Sequence, residues 1–287
     1  MAVIIHFFRH RSKQRIDYEK LIYYFDDLEY CKIFYNEDSV ELTCTDPVFD
    51  FPYRFLITKR SQVNSIYNLN SNYTNINLLV EIPSLLPEFV SRGILKFIME
   101  LCHLFELEVY YNGVKDIEQF DMAKMISYLS YERMAYLDDH KEIERHYLKR
   151  ETLNQICNYQ QMLPFLPSKL KEEAVLNSYL VLVDRETDEV ALSINWRVGT
   201  PMIFPPHLDY VHIEEDDQFI TIVPSAAFFK VAEKHMYSFK DYLPNMQLLL
   251  LHGRNINRVK KLVRKLRKVS VPTSNFNEIR IIDLLEK

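Results

Sequence analysis

A chain of 287 residues with 48% hydrophobic and 26% charged side chains can bury a sizeable core, and its length suits one or two folded domains. The formal charge of −5 supplies no global field that demands an anionic partner. Only four glycines occur, Gly93, Gly113, Gly199 and Gly253, all far apart; phosphate-cradling loops need clustered glycines, so Rossmann, P-loop and kinase-type nucleotide sites are excluded, as is the Gly-x-Ser-x-Gly elbow.

Ala2–Phe8 reads as a first strand. Asp17 is placed to cap a helix running to about Tyr30, with Leu21, Ile22, Phe25 and Leu28 as its apolar stripe. Cys31–Tyr35 and Ser39–Cys44 flank Asn36-Glu37-Asp38 as a hairpin, and Tyr53–Thr58 and Asn75–Ile82 are further strands. Between them, Ser61–Asn77 holds seven Asn or Gln residues and reads as a polar loop. Ser84 is expected to cap a long helix with Pro87 in its first turn. On that helix Arg92, Lys96, Glu100 and His103 line up as one polar stripe against Ile94, Phe97, Ile98, Leu101, Cys102 and Phe105, the pattern of a half-buried helix rather than a membrane span. Leu107–Tyr111 closes the unit as a strand, and Asn112-Gly113 ends it. Strand, helix, strand-rich middle, helix, strand is the order of a split βαβ, ferredoxin-like layer with helices on one face.

From Asp116 the pattern turns helical, with one stripe at Met122, Met125, Ile126 and Leu129 and another at Ile143, Tyr147 and Leu148, until Pro164 and Pro167 break it. Strands return at Ser178–Asp184 and Val190–Trp196 around the charged loop 185–189, and at Asp209–Ile213 and Gln218–Val223 around the acidic turn Glu214–Asp217. Ser225 is expected to cap a helix to about Tyr237. Met246–Leu251, apolar on both faces, reads as a central buried strand, followed by a basic helix from about Asn255 to Lys268 and a last strand near Glu278–Asp283. The fold class is α+β: an N-terminal ferredoxin-like domain over 1–115, a helical connector over 116–174, and a second α+β domain with a mixed sheet over 175–287.

The strongest local signal is the basic segment Arg254–Lys268. It carries eight cations and no acid, so the rest of the chain stands at −13. Ile256, Val259, Leu262, Val263 and Leu266 fix one face and turn Arg254, Arg258, Lys261, Arg264, Lys265 and Lys268 outward, where they can neutralise phosphates in a salt-sensitive way. An acidic protein, an anionic membrane surface or plain solvent fits the same face. A second basic run, Arg9, His10, Arg11, Lys13 and Arg15, sits between the first strand and first helix, and Arg9 and Arg11 join the candidate polyanion site. Leu251-His252-Gly253-Arg254-Asn255 is a weaker anion candidate, a strand-to-helix turn with a single glycine. Tyr53 and Phe55 share one strand face, which invites comparison with base-stacking RNA modules, although their Gly-aromatic signature is absent.

His140/Glu144 and Glu142/His146 stand at i,i+4, a spacing able to bind metal on a helix, but the neighbours Asp138, Asp139, Lys141 and Arg145 read as a wet face, so no metal site is expected. His212 and Asp209 point to opposite strand faces, and Cys102 and His103 are adjacent on a helix, so neither pair forms a dyad. The four scattered cysteines, with no Cys-x-x-Cys pair and no secretory signature, suggest a reducing, cytoplasmic compartment. The leading expectation is a non-enzymatic, cofactor-free interaction protein with a protein partner, favoured by 19 tyrosines that offer contact area at low entropic cost. The second is nucleic-acid or other polyanion binding through 254–268. The third is an enzyme with catalytic groups converging in a cleft between domains.

Overall fold

The computed structural model describes the chain except Met1, Ser65, residues 170–173, 217–218, 244–245, 252–254 and 264, and in addition the side chains of 169, 216, 219–220, 239–243, 246–247, 256, 260 and 262–263. The molecule is a mixed α+β protein of two compact units, Met1–Glu144 and Arg145–Lys287. The helical stretch read as a connector is divided by this boundary.

The first unit runs β1 (Ala2–His10), α1 (Tyr18–Asp26), β2 (Cys31–Tyr35), β3 (Ser39–Thr45), β4 (Pro52–Thr58), β5 (Tyr73–Pro83), α2 (Glu88–Phe105), β6 (Glu108–Tyr110) and α3 (Met122–Asp139). The strands form one sheet in the order β2-β3-β4-β5-β1-β6, with every neighbouring pair antiparallel. Strands β4-β5-β1-β6 with α1 and α2 have the ferredoxin-like order, and the β2–β3 hairpin is added at one edge. The helices share one face. Phe25 of α1 and Phe97 of α2 meet Phe55 of β4 at 4.9 and 5.8 Å, and Phe7 of β1 lies 6.3 Å from the same ring. Alternation along β1 sends Val3, Ile5 and Phe7 into this core.

The opposite face is polar at its middle, where Arg54 bonds Glu81 at 2.5 Å and stands 3.7 Å from Glu41. At one end of that face Val63, Ile66 and Leu69 cover Phe8 and Ile117, so the segment read as a polar loop contributes an apolar patch of its own. Helix α3 lies against α2, and Arg133 Nη1 donates to the Leu86 carbonyl at 2.9 Å. Tyr111 and Tyr128 close on Gly113, where an added Cβ would come within 2.6 Å of the Tyr128 ring.

Several local expectations are corrected here. Asp17 does cap α1, accepting from the Lys20 N–H at 3.2 Å, but the helix ends at Asp26. Pro87, not Ser84, is the N-cap of α2, with no side-chain cap. Cys31 and Cys44 face each other across β2 and β3 with Cα atoms 4.0 Å apart and are joined as a disulfide, while Cys102 and Cys157 are free and buried. The bonded pair stands 13 positions apart in sequence, and the hairpin brings them together. The cysteines therefore no longer argue for a reducing compartment.

The second unit begins with β7 (His146–Leu148), α4 (Arg150–Met162) and α5 (Leu166–Lys169). Strands β8 (Val175–Leu176), β9 (Leu180–Asp184), β10 (Val190–Ser193), β11 (Asn195–Arg197), β12 (Met202–Phe204), β13 (Tyr210–Asp216) and β14 (Phe219–Pro224) follow. Then come α6 (Ser225–Ala232), β15 (Met236–Leu243), β16 (Met246–Leu251), α7 (Ile256–Val263), β17 (Phe276–Ile279) and β18 (Leu284–Glu286). In place of one mixed sheet there are several small ones: β10-β9-β17, β11-β13-β14, β15-β16-β12-β8 and β18-β7. Parallel pairs occur between β11 and β13, β12 and β8, and β18 and β7. Strand β16 is interior to its sheet, as its apolar sequence implies. Fully buried Trp196, Phe204 and Phe228 form an aromatic cluster, with Phe228 at 5.5 Å from Trp196 and 5.2 Å from Phe204. Helix α6 stops at Ala232 rather than near Tyr237, because the Tyr- and Phe-bearing segment after it pairs with β16. Ser225 is not its cap; its hydroxyl donates to the Leu208 carbonyl. Among the described residues no helix is long and apolar enough to cross a membrane.

Candidate anion-binding site

In the first unit, α1 begins and α2 ends at the end of the sheet where β1 terminates. The chain crosses this end between His10 and Tyr18, and a cavity of about 490 Å³ opens beneath the crossing. Its wall comprises Arg9 and His10 from the end of β1, Arg11 just after it, residues 13–16, Tyr18, and Thr74–Ile76 of β5. Arg9 stands opposite Thr74 in the β1–β5 register, and His10 opposite Tyr73, so the last rungs of this ladder supply both sides of the floor. Five basic side chains, Arg9, His10, Arg11, Lys13 and Arg15, line the cavity, and no carboxylate does.

Beside the wall stands the carboxylate of Glu106, which terminates α2 in the left-handed conformation (φ 51°). From there it accepts from Arg9 Nη2 at 2.9 Å and Lys13 Nζ at 2.6 Å. These two bonds, that of Lys13 first, hold its carboxyl below the usual range. Arg9 is the anchored member of the group, with its side chain 15% exposed and its Nε shielded from solvent without an acceptor among the described residues. Arg11 and Arg15 are exposed and make no ion pair among the described residues. One anion thus serves two cations, and two further guanidiniums remain uncommitted.

The other walls are fixed by internal bonds. Tyr18 OH donates to the Ile76 carbonyl at 2.7 Å. The Asn75 amide is engaged at both ends, donating to Ser61 Oγ at 2.7 Å and accepting from the Asn77 N–H at 2.8 Å. His10 packs edge-on to Tyr73 at 5.2 Å, and its Nδ1 accepts from the Ser12 N–H at 3.2 Å. The Ser12 hydroxyl lies 2.6 Å from the same nitrogen, but Ser12 is absent from the cavity wall, so the pair does not present a nucleophile to the enclosed space.

Of the residues selected from sequence, Arg9 and Arg11 meet in this cavity. Arg258 and Lys261 are exposed on α7, and Lys265 and Lys268 are exposed beyond it; Arg254 and Arg264, with the turn 252–254, lie outside the described residues. The basic helix is shorter than expected, ending at Val263, with a 3-10 turn over Leu266–Val269. Arg267 is committed to Glu215 of the acidic turn by two bonds, at 3.0 and 2.5 Å; Asp217 lies outside the described residues. The partners that sequence reasoning missed are Glu106, Tyr18 and Ile76. Glu106 reaches Arg9 from 97 positions away, and no local pattern announces it.

Other candidates dissolve. Tyr53 and Phe55 are buried on the helix-covered face and offer no stacking surface to a base. Helix α3 ends at Asp139, so the helical spacing assumed for His140/Glu144 and Glu142/His146 does not exist, and among the described residues no cluster of ligating side chains is assembled. Exposed Tyr23, Tyr35 and Tyr67 lie on three different elements, while Tyr53, Tyr111, Tyr159 and Tyr179 are buried. No known protein family, curated protein or solved structure matches the chain.

Proposed function

We propose that this chain is a non-enzymatic binding protein that takes a phosphate-bearing anion in the basic cavity of its first unit. The observation that carries the reading is five basic side chains around one concavity with no carboxylate in the wall. In a molecule of net charge −5 the attraction is local, so recognition depends on charge-assisted bonds from side chains rather than on long-range steering. This agrees with the poverty in glycine: guanidinium and ammonium groups do here what main-chain amides do in phosphate loops. The exposed cations of α7 and the turn after it stand on a convex helix surface, whereas Arg9 to Arg15 enclose a volume. Enclosure favours the first unit over the basic helix as the specific site.

Titration calorimetry of the full chain with inorganic pyrophosphate at low salt tests this. Saturable binding is expected that weakens as salt rises, is lost in R11E/R15E and survives in K261E/K265E/K268E. E106Q, which removes the competing charge but keeps an acceptor for Lys13 or Arg9, is expected to tighten binding a few-fold. Absence of saturable binding, or binding indifferent to R11E/R15E, overturns the reading.

A further inference from the structure

We infer that the ligand of this cavity is a phosphate monoester carrying a ring-bearing organic body, the chemistry of a nucleoside monophosphate, bound through its terminal phosphate with little discrimination of the ring. The inference rests on the anion-binding reading above and adds the class of ligand to it.

The charge count comes first. Arg9 and Lys13 share Glu106, and Glu108 also lies close enough to act on both, so this pair is the locally compensated part of the wall. Arg11 and Arg15 are the groups free to turn toward a ligand. Two guanidiniums match a terminal phosphate monoester, which carries a charge of about −1.5 to −2 near neutral pH, better than a diester with a single charge. A guanidinium also meets two phosphate oxygens at once, which a diester offers and a monoester offers with a third to spare.

Volume and lining come second. About 490 Å³ lies within the range of cavities that enclose an organic ligand, and a bare phosphate would leave most of it to water. The remaining wall is built for a body with apolar faces: Ile16, Ile76 and the ring of Tyr18, whose hydroxyl is already engaged. Guanidinium planes supply further stacking surface for an aromatic ring.

The third point is what the wall cannot do. Reading a base edge requires unengaged donors and acceptors at fixed positions, since discrimination arises when a built hydrogen bond is left unmade. Asn75 is bonded at both ends of its amide and Tyr18 has donated its proton, which leaves, beside the cations, exposed Gln14 and Thr74 and the Nε2 of His10 as polar groups of the wall without such bonds among the described residues. Affinities for purine and pyrimidine monophosphates should therefore fall within about tenfold of each other.

The same chemistry occurs in a free nucleotide and at the 5′-phosphorylated end of a strand, and the experiment separates them. Binding of the full chain is measured for adenosine and uridine 5′-monophosphates, adenosine, inorganic phosphate, and an oligonucleotide with either a 5′-phosphate or a 5′-hydroxyl. Both monophosphates are expected to bind at least about tenfold more tightly than adenosine or phosphate alone, which is the gain from joining two contacts in one ligand. R15A and Y18A should each weaken them about tenfold, Y18A weakening the monophosphates more than pyrophosphate. A phosphorylated oligonucleotide that matches or exceeds the monophosphates assigns the strand end as source, and one that fails to bind assigns the free nucleotide. Inorganic phosphate binding as tightly as the monophosphates overturns the inference while leaving the anion reading intact. Adenosine binding as tightly, or a preference for one base beyond a hundredfold, overturns it as well.

Discussion

Glu106 occupies a position where a helix usually ends in glycine, and its left-handed backbone carries a cost of roughly 1 kcal/mol that glycine would avoid. What the side chain gains is placement: from the end of α2 it reaches Arg9 and Lys13 together. The cysteines show the same dependence on placement. Cys31 and Cys44 are adjacent only because β2 and β3 pair in that register, whereas burial pushes the thiols of Cys102 and Cys157 up to about 12 and keeps them protonated at neutral pH. Alkylation under non-reducing conditions should therefore label no cysteine in the native protein, Cys102 and Cys157 after denaturation, and all four only after denaturation and reduction. Closing the hairpin covalently constrains the unfolded chain, so reduction should lower stability by up to about 3 kcal/mol, read as a shift of the denaturant midpoint. Rapid labelling of Cys31 in the native, unreduced protein would contradict this pairing.

Among the elements, those with strong periodicity and short-range partners were legible. β1, the β2–β3 hairpin, β4, β5 and the polar stripe of α2 follow from alternation of two or from steps of three and four, and the α+β class followed from their order. Elements whose identity depends on a distant partner were not. β15 continues from a helix with no turn signal and is a strand because β16 lies beside it; β7, β8, β12 and β18 are two or three residues long and exist only by pairing. The candidate site was half legible for the same reason. Its cations are consecutive and visible, while Glu106 and the Ile76 wall arrive through tertiary structure. Strand β4 carries both kinds of information, since alternation separates Phe55, buried among Phe7, Phe25 and Phe97, from Arg54 on the polar face. F55A should destabilise the protein by about 3–5 kcal/mol through lost burial and the cavity left behind. R54A, at a guanidinium 45% exposed, should cost less than about 1 kcal/mol. Chemical denaturation of the two variants checks this, and equal effects would mean that the faces of the sheet are assigned the wrong way round.

At the scale of the molecule, each unit holds a histidine that burial keeps below its ordinary value of 6.5: His6 on β1 in the first and His212 on β13 in the second. A histidine exposed by unfolding takes up a proton near 6.5, whereas the folded site resists it until a lower pH. Between those two values the unfolded chain binds more protons than the native one, so stability rises with pH through the window and is lost as pH falls below 6.5. Glu106 acts in the same direction at lower pH, because its ion pairs fail once its depressed carboxyl is protonated, though at an exposed position where solvent and salt screen the effect. Glu108 acts in the opposite direction, since burial raises its carboxyl and protonation is favoured in the folded state. The histidines govern the range just below neutrality because only they titrate there. Denaturant midpoints should therefore fall between about pH 7.5 and about pH 5.5, and H6Q/H212Q should flatten that dependence whatever it does to stability at the upper end. A double variant that keeps the full slope would show that protons bind elsewhere on unfolding, and would remove buried neutral histidine as the source of the acid sensitivity.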